Sequence, residues 1–286
     1  MALCDDVRER CAAVAASATR VRIDADRLDA IEPGPAPALD PASHYLDGPE
    51  EEVALFTLEL DAINFGSGWF PTIRKRPGCS GSVSIARAFT EHGPWPAAEL
   101  SRLDAPTVAA ALGQDPGHVL MGLYAVALNE LGEFLGDRTA LDVVAEAGGS
   151  AQALAAQVAD AMPMFADPGF YKRAQILPAD LALAGVAEFD DLDALTIFAD
   201  NLVPHVLRVD GVLVYDAELA GLIDSGELLP PGPAEREIRA CAVHACELLA
   251  ARMAVPPRTL DNWLWNRGQQ LRYKALPRHR TRTTAY

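Results

Sequence analysis

Gly117-His-Val-Leu-Met-Gly-Leu-Tyr-Ala-Val-Ala-Leu-Asn-Glu-Leu-Gly-Glu-Phe-Leu135 is the stretch on which the fold class turns. Its apolar residues recur at the 3–4 spacing of a buried helix. The longest apolar run of the chain, Val119 to Leu128, lies inside it, is about half of what a bilayer span requires, and is ended by Asn129 and Glu130. The segment therefore predicts a core helix and argues against a transmembrane one.

Helical patterning continues on both sides. Helices are expected over about residues 4–17 and at Asp104-Ala-Pro-Thr-Val, where an acidic cap precedes a proline in the first turn. Two more are expected over 139–147, closed by Gly148-Gly149, and over the alanine-rich 151–162. Others fall near 168–184, 192–209, 216–225, 233–254 and 258–267, for about ten in all. The β signal is thin. Val53 to Asn64 (VALFTLELDAIN) alternates like a strand, while Val53, Phe56, Leu60 and Ile63 recur like a helix, and periodicity leaves both open. Gly81 to Ala88 (GSVSIARA) is expected as a short strand or extended segment, and residues 31–50, with five prolines, as an irregular surface loop. Without strand–helix alternation, repeats or a linker, the expectation is a single, mainly α domain over residues 1–286.

The composition is globular: 286 residues, 50% hydrophobic and 22% charged, with a formal net charge of -16. The first residues, Met-Ala-Leu-Cys-Asp-Asp, are acidic and lack an apolar h-region, so no secretory signal is read and a cytoplasmic protein is expected. Cys4, Cys11, Cys79, Cys241 and Cys246 form no CxxC pair, and no histidine follows at zinc spacing, so buried free thiols are expected in place of a metal site. The acidic balance argues against a protein that grips long nucleic acid. The charge is unevenly placed, however. Residues 1–257 carry net -22, whereas residues 258–286 carry net +6 from Arg258, Arg267, Arg272, Lys274, Arg278, Arg280 and Arg282 against Asp261. Either a small anion meets this patch or the patch neutralises the acidic body.

No GxSxG elbow, phosphate-binding glycine loop, GxGxxG turn or HExxH helix occurs, and His44, His92, His118, His205, His244 and His279 are scattered. Four segments place polar residues inside apolar surroundings. In Leu58-Glu-Leu-Asp-Ala-Ile-Asn-Phe-Gly-Ser-Gly-Trp-Phe-Pro71, Asp61 and Asn64 share a helix face and either serve a site or order the turn that follows. In Gly169-Phe-Tyr-Lys-Arg-Ala-Gln-Ile-Leu177, a cationic pair sits among aromatics, suited to an anion or a catalytic acid, or to an exposed turn. In Leu195-Thr-Ile-Phe-Ala-Asp-Asn-Leu-Val-Pro-His-Val-Leu-Arg208, Asp200 is placed to cap a helix, and a carboxylate held in one direction also suits a developing cation. In Leu260-Asp-Asn-Trp-Leu-Trp-Asn-Arg-Gly-Gln269, Asp261 and Trp265 are four apart. That pair fits either a stacked heterocycle or a helix docked on the core.

Taken together, LDAINFGSGWFP, FYKRAQIL, FADNLVPHVLR with GVLVY, EIRACAVHACELL, LDNWLWNRGQ and PRHRTRTTAY strongly resemble the queuosine salvage family, the queuosine 5′-phosphate N-glycosidases, from about residue 40 onward. The resemblance implies cleavage of the N-glycosidic bond of queuosine 5′-monophosphate, releasing queuine for tRNA modification. It also implies a mainly helical fold similar to the helix-hairpin-helix DNA glycosylases. Leu183-Ala-Gly-Val186, a following helix and Asp200 would stand in the places of that superfamily's hairpin, helix and catalytic aspartate. Asp200 of the FAD motif and Lys172 of the FYKRAQ motif are implied as catalytic, with Phe198 and Ala199 flanking the pocket. Asp261 and Trp265, with Asn266 beside them, are implied as base contacts, and His44 and Asp61 as further substrate-binding residues. The 5′-phosphate is expected to meet Arg267, Arg272 and Lys274. A small-molecule substrate, no cofactor or metal, no nucleic-acid or membrane partner, and a monomer are expected. The rival readings are a glycosylase acting on nucleic acid and a non-catalytic queuine- or nucleotide-binding protein.

Overall fold

A computed structural model describes residues 2–286, which group into two compact units. The first unit comprises the stretch up to residue 37 together with 168–172 and 193–282; the second comprises 38–167, 173–192 and 283–286. The first unit opens with α1 (Leu3–Ser17), β1 (Val21–Ile23) and a 3-10 turn at Ala25–Ala30. The second holds α2 (Glu50–Ala62), α3 (Gly81–His92), α4 (Ala97–Leu100), α5 (Ala105–Ala111), α6 (Val119–Leu135), α7 (Ala140–Glu146), α8 (Ala151–Ala161) and α9 (Lys172–Leu183), whose first residue is counted with the first unit. The first unit resumes with α10 (Leu202–Val209), β2 (Leu213–Tyr215), α11 (Ala217–Asp224), α12 (Pro233–Met253), α13 (Pro257–Arg267) and α14 (Leu271–Lys274). The sheet among the described residues is β1 antiparallel to β2, with Val21 opposite Tyr215. The mainly α fold class read from the sequence is therefore the one observed, and no single described helix is long and apolar enough to cross a membrane.

In the first unit α12 forms the core. Ile238 to Val243 are buried without a break, followed by Ala245, Cys246, Leu249 and Ala250. The small side chains among them admit neighbours closely, and α1 (Val7, Cys11), α10 (Val203, Val206, Leu207) and α13 (Leu260, Leu264) join one apolar cluster with it. Each fully buried Leu, Ile or Val there contributes about 1.5–3 kcal/mol. Proline at the first helical position starts α12. Ala254, at φ 53 in the left-handed region, ends it before Pro256 and Pro257. The cysteines are free as expected, four of them buried and Cys79 partly so, and burial pushes the Cys241 thiol up to about 12.

The second unit settles the ambiguity over 53–64 in favour of a helix. Every residue of α2 from Val53 to Ala62 is buried, so no single face carries the apolar residues and no single period shows. Its first turn is Glu50-Glu51-Glu52, the charge a helix N-terminus favours. The expected strand at 81–88 is instead α3. Ser80 Oγ accepts the Val83 N–H at 3.2 Å, and Gly81, Ser84, Ile85, Ala88 and Phe89 form one buried helical face. The cap expected at Asp104 holds on α5, and α7 starts on a capping box formed by Thr139 and Asp142. Gly132 lets α6 approach α4, since a Cβ there would lie 2.5 Å from the Ser101 nitrogen.

Two helices expected around the candidate site are shorter than predicted. Of 168–184, only Lys172 onward is helical, because Gly169 (φ 92) and Tyr171 (φ 52) take left-handed conformations that a helix cannot accept. Of 192–209, only α10 is α-helical; Leu192–Ala194 is a 3-10 turn and 195–201 is irregular and largely buried. The helix expected between Leu183–Val186 and Asp200 is thus that single 3-10 turn.

Candidate active site

In the first unit the segment Leu195–Asn201 is held from three directions. Asp261 Oδ1, on α13, accepts the Phe198 N–H at 2.9 Å. Arg239 of α12, only 2% exposed, donates Nε to the Ala199 carbonyl at 2.8 Å, lies 3.9 Å from the Phe170 ring centroid and pairs with Glu235 at 3.5 Å. Asn201 Nδ2 donates to the His279 carbonyl at 3.0 Å. Phe198 and Ala199 are buried by these contacts.

Asp200, between the pinned residues, is only partly buried. Its Oδ1 accepts the Leu202 and Val203 N–H groups at 2.7 and 3.0 Å, two of the donors that the first turn of α10 leaves without an intrahelical partner. Pro204, still in that first turn, removes a third donor at no cost to the helix. The second carboxylate oxygen makes no hydrogen bond to a described residue and is not sealed from solvent. The carboxylate is thus fixed in direction at one oxygen and open at the other.

Lys172, 5% exposed, is the first residue of α9, immediately after the left-handed Tyr171. Trp265, 36% exposed, presents an aromatic surface on α13, while Asp261 on the same helix is buried. Asn266 Nδ2 donates to Asn262 Oδ1 at 2.9 Å. Arg267 and Arg272 converge on the side chain of Asp210, which is 3% exposed. Arg267 Nε is 3.0 Å from Asp210 Oδ2, Arg272 forms a second ion pair, and the Tyr273 hydroxyl donates to Asp210 Oδ1 at 2.8 Å. Burial works against the Arg267 cation, but Tyr273 and Asp210 outweigh it and raise its pKa. Two of the three expected phosphate ligands are therefore occupied by a carboxylate of the chain itself, and Lys274 is exposed. A surface groove of about 710 Å3 in this unit, lined by Thr19, Arg20, Arg22, Tyr215 and His244 among others, contains none of these residues.

The remaining two candidates belong to the second unit. His44 is partly buried, with Nδ1 3.0 Å from the Asp40 carbonyl. Asp61 is 1% exposed and its Oδ1 accepts from Asn64 Nδ2 at 3.3 Å, so the pair does order the turn after α2. Arg173, the second member of the cationic pair in 169–177, belongs to this unit and has a structural role. Its buried guanidinium donates to the carbonyls of Ala62 and Thr284 at 2.5 and 2.8 Å and lies 4.7 and 5.0 Å from the ring centroids of Phe65 and Phe165. Burial lowers its pKa to about 10, opposed by Asp167, Asp61 and Glu130. Arg239 and Asn201 are not singled out in the sequence, and Arg278 stands there only as one of the seven basic residues of 258–286. The signal available for Arg239 was a cation inside the small-residue stripe EIRACAVHAC, where only a fully hydrogen-bonded charge is tolerated.

Comparison with known proteins defines the class. The chain matches the family described as queuosine salvage protein over residues 82–286. It is 38% identical over 277 residues to a Sphaerobacter thermophilus protein, covering 85% of this chain and 84% of that one. A Mus musculus protein is 33% identical over 189 residues, 56% of each chain, and a Dictyostelium discoideum protein 40% identical over 134 residues, 41% of this chain and 40% of that one. All three relatives are named queuosine 5′-phosphate N-glycosylase/hydrolase. The chain belongs to the queuosine salvage protein family.

Proposed function

We propose that this chain hydrolyses the N-glycosidic bond of queuosine 5′-monophosphate. Water supplies a hydroxyl to the anomeric carbon and a proton to the departing base, giving ribose 5-phosphate and queuine for reuse in tRNA modification. The observation that carries the reading is the state of Asp200, one oxygen held by two backbone N–H groups and the other open.

Queuine is a 7-deazaguanine, so the ring nitrogen that an acid would protonate to improve a purine leaving group is absent. Catalysis then falls on stabilising positive charge at the ribosyl carbon as the bond breaks. A carboxylate fixed in direction before reaction supplies that stabilisation without reorganising. Asp200 acts below the anomeric carbon, orienting water or adding transiently as nucleophile. Lys172 contributes positive charge to the same site. Phe198 and Trp265 enclose the base, Asp261 takes its hydrogen-bonding edge, and Ala199 and Asn266 complete the substrate-binding set of the first unit. The net -22 of residues 1–257 favours a nucleotide over a polynucleotide, and the reading includes a monomeric, cytoplasmic enzyme. Incubation of the protein with queuosine 5′-monophosphate, with free queuine followed by mass spectrometry, tests it. Release of queuine is expected, and tight binding without release would make the chain a nucleotide-binding protein.

A further inference from the structure

We infer that Arg278 receives the 5′-phosphate of the substrate and is the residue that separates the nucleotide from the nucleoside. The inference rests on the hydrolase reading of the Asp200 site. It begins with where the basic residues of 258–282 are spent. Arg258 pairs with Asp193 at 2.6 Å, Arg267 and Arg272 with Asp210, and Arg280 donates to the Gly226 carbonyl. Lys274 and Arg282 are exposed. Arg278 differs from all of them: it is partly buried, yet its guanidinium makes no hydrogen bond or ion pair with a described residue.

Its place in the fold is beside Asp200. The hydrogen bond from Asn201 Nδ2 to the His279 carbonyl, 3.0 Å, sets the residue after Asp200 against the residue after Arg278. The Leu229 N–H to Arg280 carbonyl bond, 2.9 Å, fixes the other end of the same segment. Burial lowers the pKa of Arg278, and the negative charge of Asp200 opposes that shift, so the two groups feel one another without pairing. The surroundings are electropositive in a chain of net -16. Burial and the nearby Arg239, His205, Arg278 and Arg208 push His279 down to about 3, and burial with Arg278 and Arg208 lowers His205 against the pull of the Tyr273 carbonyl and Asp224.

A guanidinium carries five N–H donors and no acceptor, and leaving it half desolvated without a counter-ion is unfavourable. A phosphate satisfies two of those donors side by side. In queuosine 5′-monophosphate the anomeric carbon and the phosphate are separated by one ribose. A carbon placed over the open oxygen of Asp200 therefore brings the phosphate to a cation lying beside that carboxylate.

The test compares wild type, R278Q, R278K and R282A on queuosine 5′-monophosphate and on queuosine, with calorimetric titration of ribose 5-phosphate. R278Q is expected to raise KM for the nucleotide about tenfold to a hundredfold while leaving kcat/KM for queuosine within about twofold. R278K falls between, R282A matches wild type, and ribose 5-phosphate affinity falls in parallel with the nucleotide. An unchanged KM for the nucleotide in R278Q, or equal losses on both substrates, would overturn the assignment. Should wild type release queuine from neither substrate, the hydrolase reading fails. The ribose 5-phosphate titration then still decides Arg278, because equal affinity in wild type and R278Q removes it from the phosphate site. A folded melting profile of R278K keeps the comparison valid if R278Q is unstable.

Discussion

The two ends of α10 each carry an aspartate, and the two are satisfied in opposite ways. Asp200 precedes the N-terminus, where backbone N–H groups and the helix dipole both welcome an acid, and two N–H groups suffice to hold it. Asp210 is the C-cap, where the dipole opposes an acid, and its buried side chain is held by Arg267, Arg272 and the Tyr273 hydroxyl. An acid held by backbone keeps an oxygen free for chemistry. An acid at the unfavourable end occupies cations, which is why a locally basic sequence does not by itself mark a phosphate site.

Asp200→Asn breaks this comparison with the largest effect. Asparagine caps a helix about as well as aspartate, so the melting temperature should stay within a few degrees, while turnover falls by about a thousandfold or more. Near-normal queuine release by the variant would remove Asp200 from the chemistry. Asp210→Ala is expected to do the reverse. It leaves Arg267 and Arg272 facing one another over a vacated site and lowers stability by about 1–3 kcal/mol in urea unfolding, discounted because Arg272 is 57% exposed. An unchanged urea midpoint would show that the cluster contributes nothing to the fold.

The same helix shows how far sequence reaches. Asp200 before an apolar run with Pro204 in the first turn was readable as a cap because every group involved lies within four residues. The Asp210 cluster was not readable, since Arg267 and Arg272 lie some sixty residues on and reach it only through the packing of α13 and α14. Burial on all sides hid α2 from periodicity, and GSVSIARA alternates well enough to pass for a strand until Ser80 is recognised as a cap. The three-residue strands β1 and β2 are too short to carry a pattern at all. The family motifs carry the candidate residues, but Arg239 and Asn201 stand out only once their partners on either side of Asp200 are in place, and Arg278 only once the fold sets its neighbour His279 against Asn201.

Asp261 sharpens the contrast between holding and reacting. Its Oδ1 accepts the Phe198 N–H, which a side-chain amide oxygen also accepts. Asp261→Asn should therefore keep the stability of the wild type and lose affinity for queuine, measured by calorimetry. Asp261→Ala should lose both, with a stability cost of about 1–3 kcal/mol for the orphaned N–H. Equal queuine affinity in wild type and Asp261→Asn would leave Asp261 as a structural acceptor alone.

The smallest effect concerns pH. His279, buried, and crowded first by Arg239 and then by His205, Arg278 and Arg208, has its pKa lowered to about 3, so it stays neutral in the fold. The unfolded chain takes up that proton near its ordinary value of about 6.5. The contribution of His279 to stability is therefore fully present above about 6.5 and is lost progressively as pH falls from there toward 3, because only the unfolded state gains the proton. Arg278→Gln removes one of the cations that hold the imidazole neutral, and should make the acid-side loss shallower by a few tenths of a kcal/mol between pH 6.5 and 4. Urea unfolding across that range measures it. Identical slopes in wild type and variant would mean that Arg278 does not face His279, and would loosen its placement beside Asp200 as well.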